Sequence, residues 1–509
     1  MKQISILVRL FITPYVSYPC GFLHSSRPVM SFLPSFLKRK SIDLITVHEE
    51  GRRLVPTLSW PHLIALGIGA IVGTGIYTLI GVGAEKAGPA ILLSFVIAGV
   101  ICACAALAYA EMATMMPVAG STYTYSYVAL GEGIAWIVGW SLILEYSLVV
   151  STVAVGWSGY MSGFLKSVGV DMPLALTAGP YAGGIINLPA VVITCVVAGL
   201  LIVGTKESTT LNAVLVVVKI IALSVFVVIA LPHFDMAHLK PFMPYGFTKS
   251  IDTGGVERGV MAAAAIIFFA FYGFDAISTA AEETKNPSRD LSIGIIGSMI
   301  GCTLIYVLVA LAAIGAMHYT VFGPSTEPLA LILRQLDQGN TARLIGAAAI
   351  IALPTVLLAF LYGQSRILFV MSRDGLLPRG LSTVNARTGT PIATTLFTAI
   401  LVATAAGLVP LGEIAALANA GTLTAFIAVA LCLLVLRVRE PQRVRAFRTP
   451  LAWVVGPIAI AGCLYLFWSL PKMTQSLFLL WNALGLCVYL VYGRHTSLLS
   501  KAVSIDTPR

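Results

Sequence analysis

Charge is scarce in this chain. Asp, Glu, Lys and Arg make up 11% of its 509 residues, against about 25% in an ordinary soluble domain, which excludes a water-facing globular fold. Histidine is rarer still: seven residues scattered near predicted loops. No His, Cys, Asp or Glu grouping has metal-ligand or acid/base spacing, so neither a metal nor any other cofactor is expected. The same absence argues against a polytopic membrane enzyme, which needs such a constellation near one interface. Cysteine is also sparse. Seven of the eight, Cys102, Cys104, Cys195, Cys302, Cys432, Cys463 and Cys487, fall in predicted spans and read as small apolar packing residues with free thiols. A clean secretory signal is missing as well. Residues 1–29 are weakly amphipathic and carry Pro14 and Pro19, so they read as a disordered extension or as a start placed upstream of Met30.

What the chain has is hydrophobicity, 58% of its residues. Apolar runs of at least about 18 residues, the length of one membrane crossing, can be placed at 58–82, 89–116, 134–164, 187–204, 209–231, 258–281, 291–316, 341–370, 391–409, 411–436, 451–470 and 474–493. They predict an all-α integral membrane protein of twelve transmembrane helices in the lipid bilayer of the cell (inner or plasma) membrane. An even number of crossings puts both termini on one side. Of the 32 Lys and Arg, 23 fall there, and the positive-inside bias makes that side the cytoplasm. The net charge of +10 then follows from topology and attraction to anionic lipid, with no nucleic-acid partner.

Two of the runs are interrupted by glycine at mid-membrane. The first reads GIGAIVGTG from Gly67 to Gly75, and the second FYGF from Phe271 to Phe274. Each glycine lowers helix propensity by about 1 kcal/mol and tolerates backbone that other residues avoid. Unpaired backbone in a bilayer must face protein or a cavity, so two such breaks point to a binding site near the midplane and to a carrier. Unwinding near Gly73 to Gly75 would expose amides that suit a carboxylate. Close helix packing through small residues explains the same glycines equally well. At the second break, a half-helix ending near Tyr272 would leave carbonyls for an ammonium group. Asp275 follows immediately, either touching substrate or bracing the unwound segment. Carboxylate at one break and ammonium at the other describe the common part of an amino acid.

These segments resemble amino acid permeases of the amino acid/polyamine/organocation (APC) superfamily, and within it the bacterial type of cationic amino acid transporter. The resemblance runs from about Lys38 to about Gly493. It is carried by GIGAIVGTGIY (67–77), YAEMATMMPVAGSTYTYSYVALGE (109–132), GWSLILEYSLVVSTVAVGWSGY (139–160), FFAFYGFDAISTAAEETKNPSRDLSIGI (268–295) and YGQSRILFVMSRDGLLP (362–378). It implies a cytoplasmic N-terminal segment (1–57), a five-plus-five inverted repeat (58–231 and 258–436) with spans 1 and 6 discontinuous, peripheral spans 11 and 12 (451–493), and a cytoplasmic tail (494–509). It further implies that Val72, Gly73, Thr74 and Gly75 take the substrate carboxylate. Carbonyls around Phe268, Phe271 and Tyr272 would take the α-amino group, with Phe271 as an aromatic lid.

Three charged residues stand out. Lys219 lies halfway along a fifth apolar run with no acid beside it, so its ammonium must find a carbonyl or lose its proton. In proton-coupled members of the resembled family, a lysine in this motif occupies the place that sodium takes in sodium-coupled ones. Glu145, roughly 16 Å into the third span at the helical rise, could meet a substrate amino group, relay a proton or pair with another span. Glu111, with Tyr123 and Tyr125, reads as a structural and gating element after span 2, and Glu282, Glu283, Lys285 and Arg289 as surface salt bridges at the inner gate. The expected activity is secondary active transport by alternating access, in proton symport, of cationic or small neutral L-amino acids. Exchange and a small accessory membrane subunit stay open.

Overall fold

The computed structural model describes residues 35–42, 58–118, 120–203, 209–252, 254–281, 284–383 and 392–498. The readings of residues 1–29, Met30, Glu282 and Glu283 therefore lie outside the described residues. Among those described, nine helical stretches are long and apolar enough to cross a membrane, and Trp60–Ile71, Leu188–Ile202 and Ile392–Leu408 are apolar but shorter.

In chain order the first run is split into α1 (Trp60–Ile71), α2 (Thr74–Tyr77) and α3 (Leu79–Ala87). There follow α4 (Ile91–Met115), α5 (Ser121–Ala129), α6 (Glu132–Ser167), α7 (Leu188–Val203) and α8 (Thr209–Ala230). A small antiparallel hairpin of Ser250–Ile251 and Glu257–Arg258 comes next. Its carboxylate Asp252 is held below the usual range by Arg258 and by the amides of Val256 and Gly254. The second broken run is α9 (Val260–Ile267), a 3-10 turn at Phe268–Ala270 and α10 (Asp275–Thr279). The rest comprises α11 (Pro287–Ala316), α12 (Pro328–Gln335), α13 (Gly339–Arg373), α14 (Ile392–Leu408), α15 (Leu411–Arg439), α16 (Ala452–Ser469) and α17 (Lys472–Val488).

Helix is the only conformation in which an unpaired segment satisfies its own backbone in hydrocarbon; which face turns inward is set by side-chain packing. Along α8, Val214, Val217, Ile221, Val225 and Val228 are exposed, whereas Val216, Lys219, Leu223 and Phe226 are buried. That three-and-four spacing gives one apolar face for lipid and one for the bundle. Lys219 sits on the bundle face, fully buried, so it does not snorkel. Helix α6 is the axle. It is buried over most of its length and packs along α13 and α15, while α11 packs along α1 and α4.

Charged groups gather at the termini-bearing end. Glu111 lies in the last turn of α4, not in the segment after it, and is completely buried. Arg437 grips it through Nε (2.9 Å) and Nη2 (2.7 Å), Arg445 Nε lies 2.9 Å away, and the Thr449 amide donates to it at 2.8 Å. The basic stretch after α15 is thus folded back onto α4. Nearby, buried Glu132 accepts the hydroxyls of Tyr127 (2.6 Å), Tyr489 (3.0 Å) and Ser497. Asp374, past the end of α13, accepts Tyr123 OH (2.7 Å) and pairs with Lys40 (2.6 Å), and its carbonyl takes the Leu498 amide (3.1 Å). The Lys285 amide donates to Leu58 O at 2.8 Å, which ties the exit of α10 to the entry of α1.

Removing one partner of a buried ion cluster strands the others, at about 3–5 kcal/mol. Glu111→Gln should therefore lower the thermal unfolding midpoint of the purified full chain in detergent by several degrees. An unchanged midpoint would show that the arginines find other partners.

Candidate functional site

The first break is sharper than the glycine run suggests. Helix α1 stays regular through Gly67 and Gly69 and ends at Ile71. Val72 is extended (φ −74°, ψ 94°), as is Gly73 (φ −146°, ψ −147°), before the short turn of α2. At Gly67 a Cβ would sit 2.5 Å from Ser298 Oγ, so this upstream glycine serves close packing on α11. The chain thus unwinds at Gly73 and packs closely at Gly67.

The carbonyls freed at this break are taken by side chains from elsewhere. Lys219 Nζ donates to Gly69 O (2.8 Å) and to Thr355 Oγ1 (3.0 Å), and Tyr306 OH donates to Ile71 O (2.7 Å). Beyond the break, the amides of Ile76 and Tyr77 both return to Gly73 O, so those of Thr74 and Gly75 sit at the free N-terminal end of the turn. The second break is treated alike. Asn419 Nδ2 donates to Ala265 O (2.6 Å) and Ile266 O (3.2 Å) at the end of α9. Asp275 braces the other side: Oδ1 accepts the Gly273 amide (3.0 Å) and Oδ2 the Tyr146 hydroxyl (2.9 Å).

The two breaks lie against each other. A Cβ on Gly75 would overlap Ala270, and one on Gly273 would stand 2.9 Å from the carbonyl carbon of Ala70 and 3.0 Å from Ile71 N. Gly273 also has φ +119°, a conformation that favours glycine. Where the breaks meet α6 and α13, a small hollow opens. Gly73, Thr74 and Gly75 line it from the first break, Phe269 and Tyr272 from the second, and Val149, Val153, Val356 and Phe360 complete an apolar wall. Its free volume of about 10 Å³ is close to what one water needs.

Of the residues expected at the substrate, Gly73, Thr74, Gly75 and Tyr272 line the hollow; Val72, Phe268, Phe271 and Glu145 do not. The reason at the second break is the 3-10 turn. With three residues per turn, positions 269 and 272 share one face while 268 and 271 share another. The Phe268 ring accordingly packs edge-on against Phe426 (5.6 Å), and Phe271 against Phe95 (6.1 Å) and Tyr306 (5.4 Å). Phe271 is thus part of the α4–α11 packing and does not cover the hollow. Glu145 faces α15, where a Cβ on Gly421 would come within 2.9 Å of its own Cβ. Glu111 belongs to the termini-side cluster described above.

Asn419, Tyr306, Tyr146 and Thr355 were not singled out from sequence. Asn419 had a legible signal, being a lone amide in the apolar run Leu417-Ala-Asn-Ala420.

Two interrupted helices, capped by distant side chains and crossing at a small, mostly apolar hollow, are the build of a membrane carrier. The family model described as amino acid permease matches residues 58–491. A branched-chain amino acid permease of Bacillus subtilis (strain 168) is 44% identical over 472 residues, covering 92% of this chain and 99% of the relative. A methylthioribose transporter of the same strain is 40% identical over 92% of this chain and 100% of its own length. A vacuolar cationic amino acid transporter 2 of Arabidopsis thaliana is 38% identical over 81% of this chain and 64% of its own length. The chain belongs to the amino acid permease family; it is a transporter and not an enzyme.

Because Gly273 combines positive φ with backbone contact, Gly273→Ala adds strain of about 1–3 kcal/mol to a clash that only backbone movement relieves. The variant should elute as a reduced monodisperse peak on size exclusion and lose substrate uptake in proteoliposomes. Retention of both would mean that the crossing of the two breaks is loose.

Proposed function

We propose that the protein moves small neutral L-amino acids across the cell membrane together with protons, by alternating access around the crossing of its two breaks. On this reading α7 and α14 also span, and α1 completes one crossing together with α2 and α3, separate from α4, which gives twelve crossings; residues 58–231 and 258–436 form inverted repeats whose first helices are the broken ones. Both termini lie in the cytoplasm, where the basic residues concentrate. The substrate carboxylate meets the Gly73–Gly75 backbone and its ammonium the second break; its side chain points into the valine and phenylalanine wall. That wall favours a branched aliphatic chain, in keeping with the similarity to a branched-chain amino acid permease of Bacillus subtilis. Domain limits and site roles are part of the same proposal.

The observation that carries the coupling is the bond from Lys219 Nζ to Gly69 O, two residues before α1 ends. A protonated Lys219 holds that carbonyl and so holds the unwound backbone in place. A neutral amine has one donor fewer and no charge, so the break is freed to rearrange. Proton transfer and the geometry of the carboxylate-binding backbone are thereby linked. An exchanger of the same fold would need no such link.

The test is a thermal-shift screen of the purified full chain against the proteinogenic amino acids and methylthioribose, followed by uptake in proteoliposomes. Leucine, isoleucine or valine should stabilise the protein and accumulate when the vesicle exterior is acidic. Lys219→Met should abolish that accumulation. If the variant still concentrates substrate on a pH gradient, Lys219 is not the coupling group. If only methylthioribose stabilises the wild type, the amino acid reading of the site falls.

A further inference from the structure

A buried acid, Glu145, lies beside a ring that lines the hollow. Tyr272 lines the hollow on one side, set against Phe269 (4.8 Å) and Phe360 (6.4 Å). Its hydroxyl projects elsewhere, toward Glu145 and Thr422. The Thr422 hydroxyl, which donates to Ala418 O at 3.3 Å, lies beside both the Tyr272 hydroxyl and the Glu145 carboxyl. All three residues are at most 2% exposed, yet neither Tyr272 OH nor Glu145 Oε2 has a hydrogen-bond partner of its own. Asn419 Oδ1, one turn from Thr422 on α15, is likewise buried without a donor. Behind the apolar wall, then, lies a compartment of acceptors and hydroxyls between α6, α15 and the second break. Other acidic charge nearby comes from Asp275, which is committed to Gly273 and Tyr146.

Buried polar atoms without partners are costly, about 1–3 kcal/mol each, and they discriminate strongly between ligands that satisfy them and ligands that do not. Tyr272 sits in the turn between the 3-10 segment and Gly273, where no regular helix fixes the backbone. The ring is therefore carried by the part of the protein that must rearrange in a transport cycle.

We infer that Tyr272 is the specificity-determining partition of the site: its ring keeps the side-chain hollow apolar and shut off from Glu145, so that neutral aliphatic amino acids are accepted and those with a terminal ammonium refused. The inference rests on the proposed reading of the hollow as an amino acid side-chain pocket. With the ring in place, a lysine chain would bury its ammonium against valine and phenylalanine with no counter-charge. Without it, hollow and compartment merge, and the ammonium reaches the Glu145 carboxylate.

The experiment measures uptake of labelled leucine by the full-length protein in proteoliposomes, with lysine and norleucine as unlabelled competitors. Norleucine has the lysine chain without its ammonium. The wild type should be inhibited by norleucine and hardly by lysine. In Tyr272→Ala the lysine-to-norleucine ratio of half-inhibiting concentrations should fall by roughly tenfold or more. In Tyr272→Ala/Glu145→Gln, lysine should lose that gain while norleucine keeps its effect. Should Tyr272→Ala fail to fold, Tyr272→Leu is expected to shift the ratio in the same direction and Tyr272→Phe to leave lysine excluded; identical behaviour of the two overturns the inference. An unchanged ratio in Tyr272→Ala overturns it, as does a double variant that still accepts lysine. A wild type inhibited equally by lysine and norleucine overturns it while leaving the pocket reading intact. Absence of amino acid uptake by the wild type instead overturns the pocket reading itself.

Discussion

Every carbonyl released from a helix inside hydrocarbon needs a donor, and this requirement organises the centre of the protein. Opening α1 at Val72 and α9 at Phe268 frees acceptors where no water can reach them. The donors come from other parts of the bundle: Lys219 from α8, Tyr306 from α11 and Asn419 from α15. The two interruptions together thereby fix the rotation of three other helices. A polar side chain on an apolar helix, which would be a liability elsewhere, becomes the means by which a broken helix is held.

The same logic explains why the breaks touch. Backbone that has left the helix is thin, and two such stretches can approach until glycine meets main chain, as Gly75 does at Ala270 and Gly273 at Ala70. Close approach excludes lipid and leaves room for only a small hollow between unpaired amides and aromatic rings. Binding-site chemistry is thus a by-product of how irregular backbone survives in a membrane. It also accounts for the apolar wall. Around the breaks, α6 and α13 contribute what such helices normally carry, valine and phenylalanine.

Much of this was legible in the residues. Scarce charge and long apolar runs established membrane helices, and glycine at mid-run marked where two of them fail. Lys219 was conspicuous because an unaccompanied ammonium at that depth demands a carbonyl. Less legible was anything that depends on rotation about a helix axis. A 3-10 turn rather than an α-turn after Ile267 decides whether Phe268 or Phe269 reaches the hollow, and both continue the run equally well as sequence. Glu145 was expected near mid-span, but the side of α6 it faces is set by Gly421 on α15, nearly 280 positions along the chain. Partners such as Tyr146 for Asp275 are likewise products of tertiary contact. Glu111 read as part of the element after span 2 although it lies inside the apolar run 89–116, because the arginines that hold it in α4 come from far downstream.

The grip of the chain ends on the bundle has a practical side. Phe36 occupies the notch at Gly133, while Ser497 and Leu498 close on Glu132 and on the residue after α13. Stretches near either end that look like dispensable tails are therefore wedged into the folded body. A reporter or affinity handle fused flush against Leu498, or a shortened version beginning after Ile42, would pry at the same joints that hold the termini-bearing surface together.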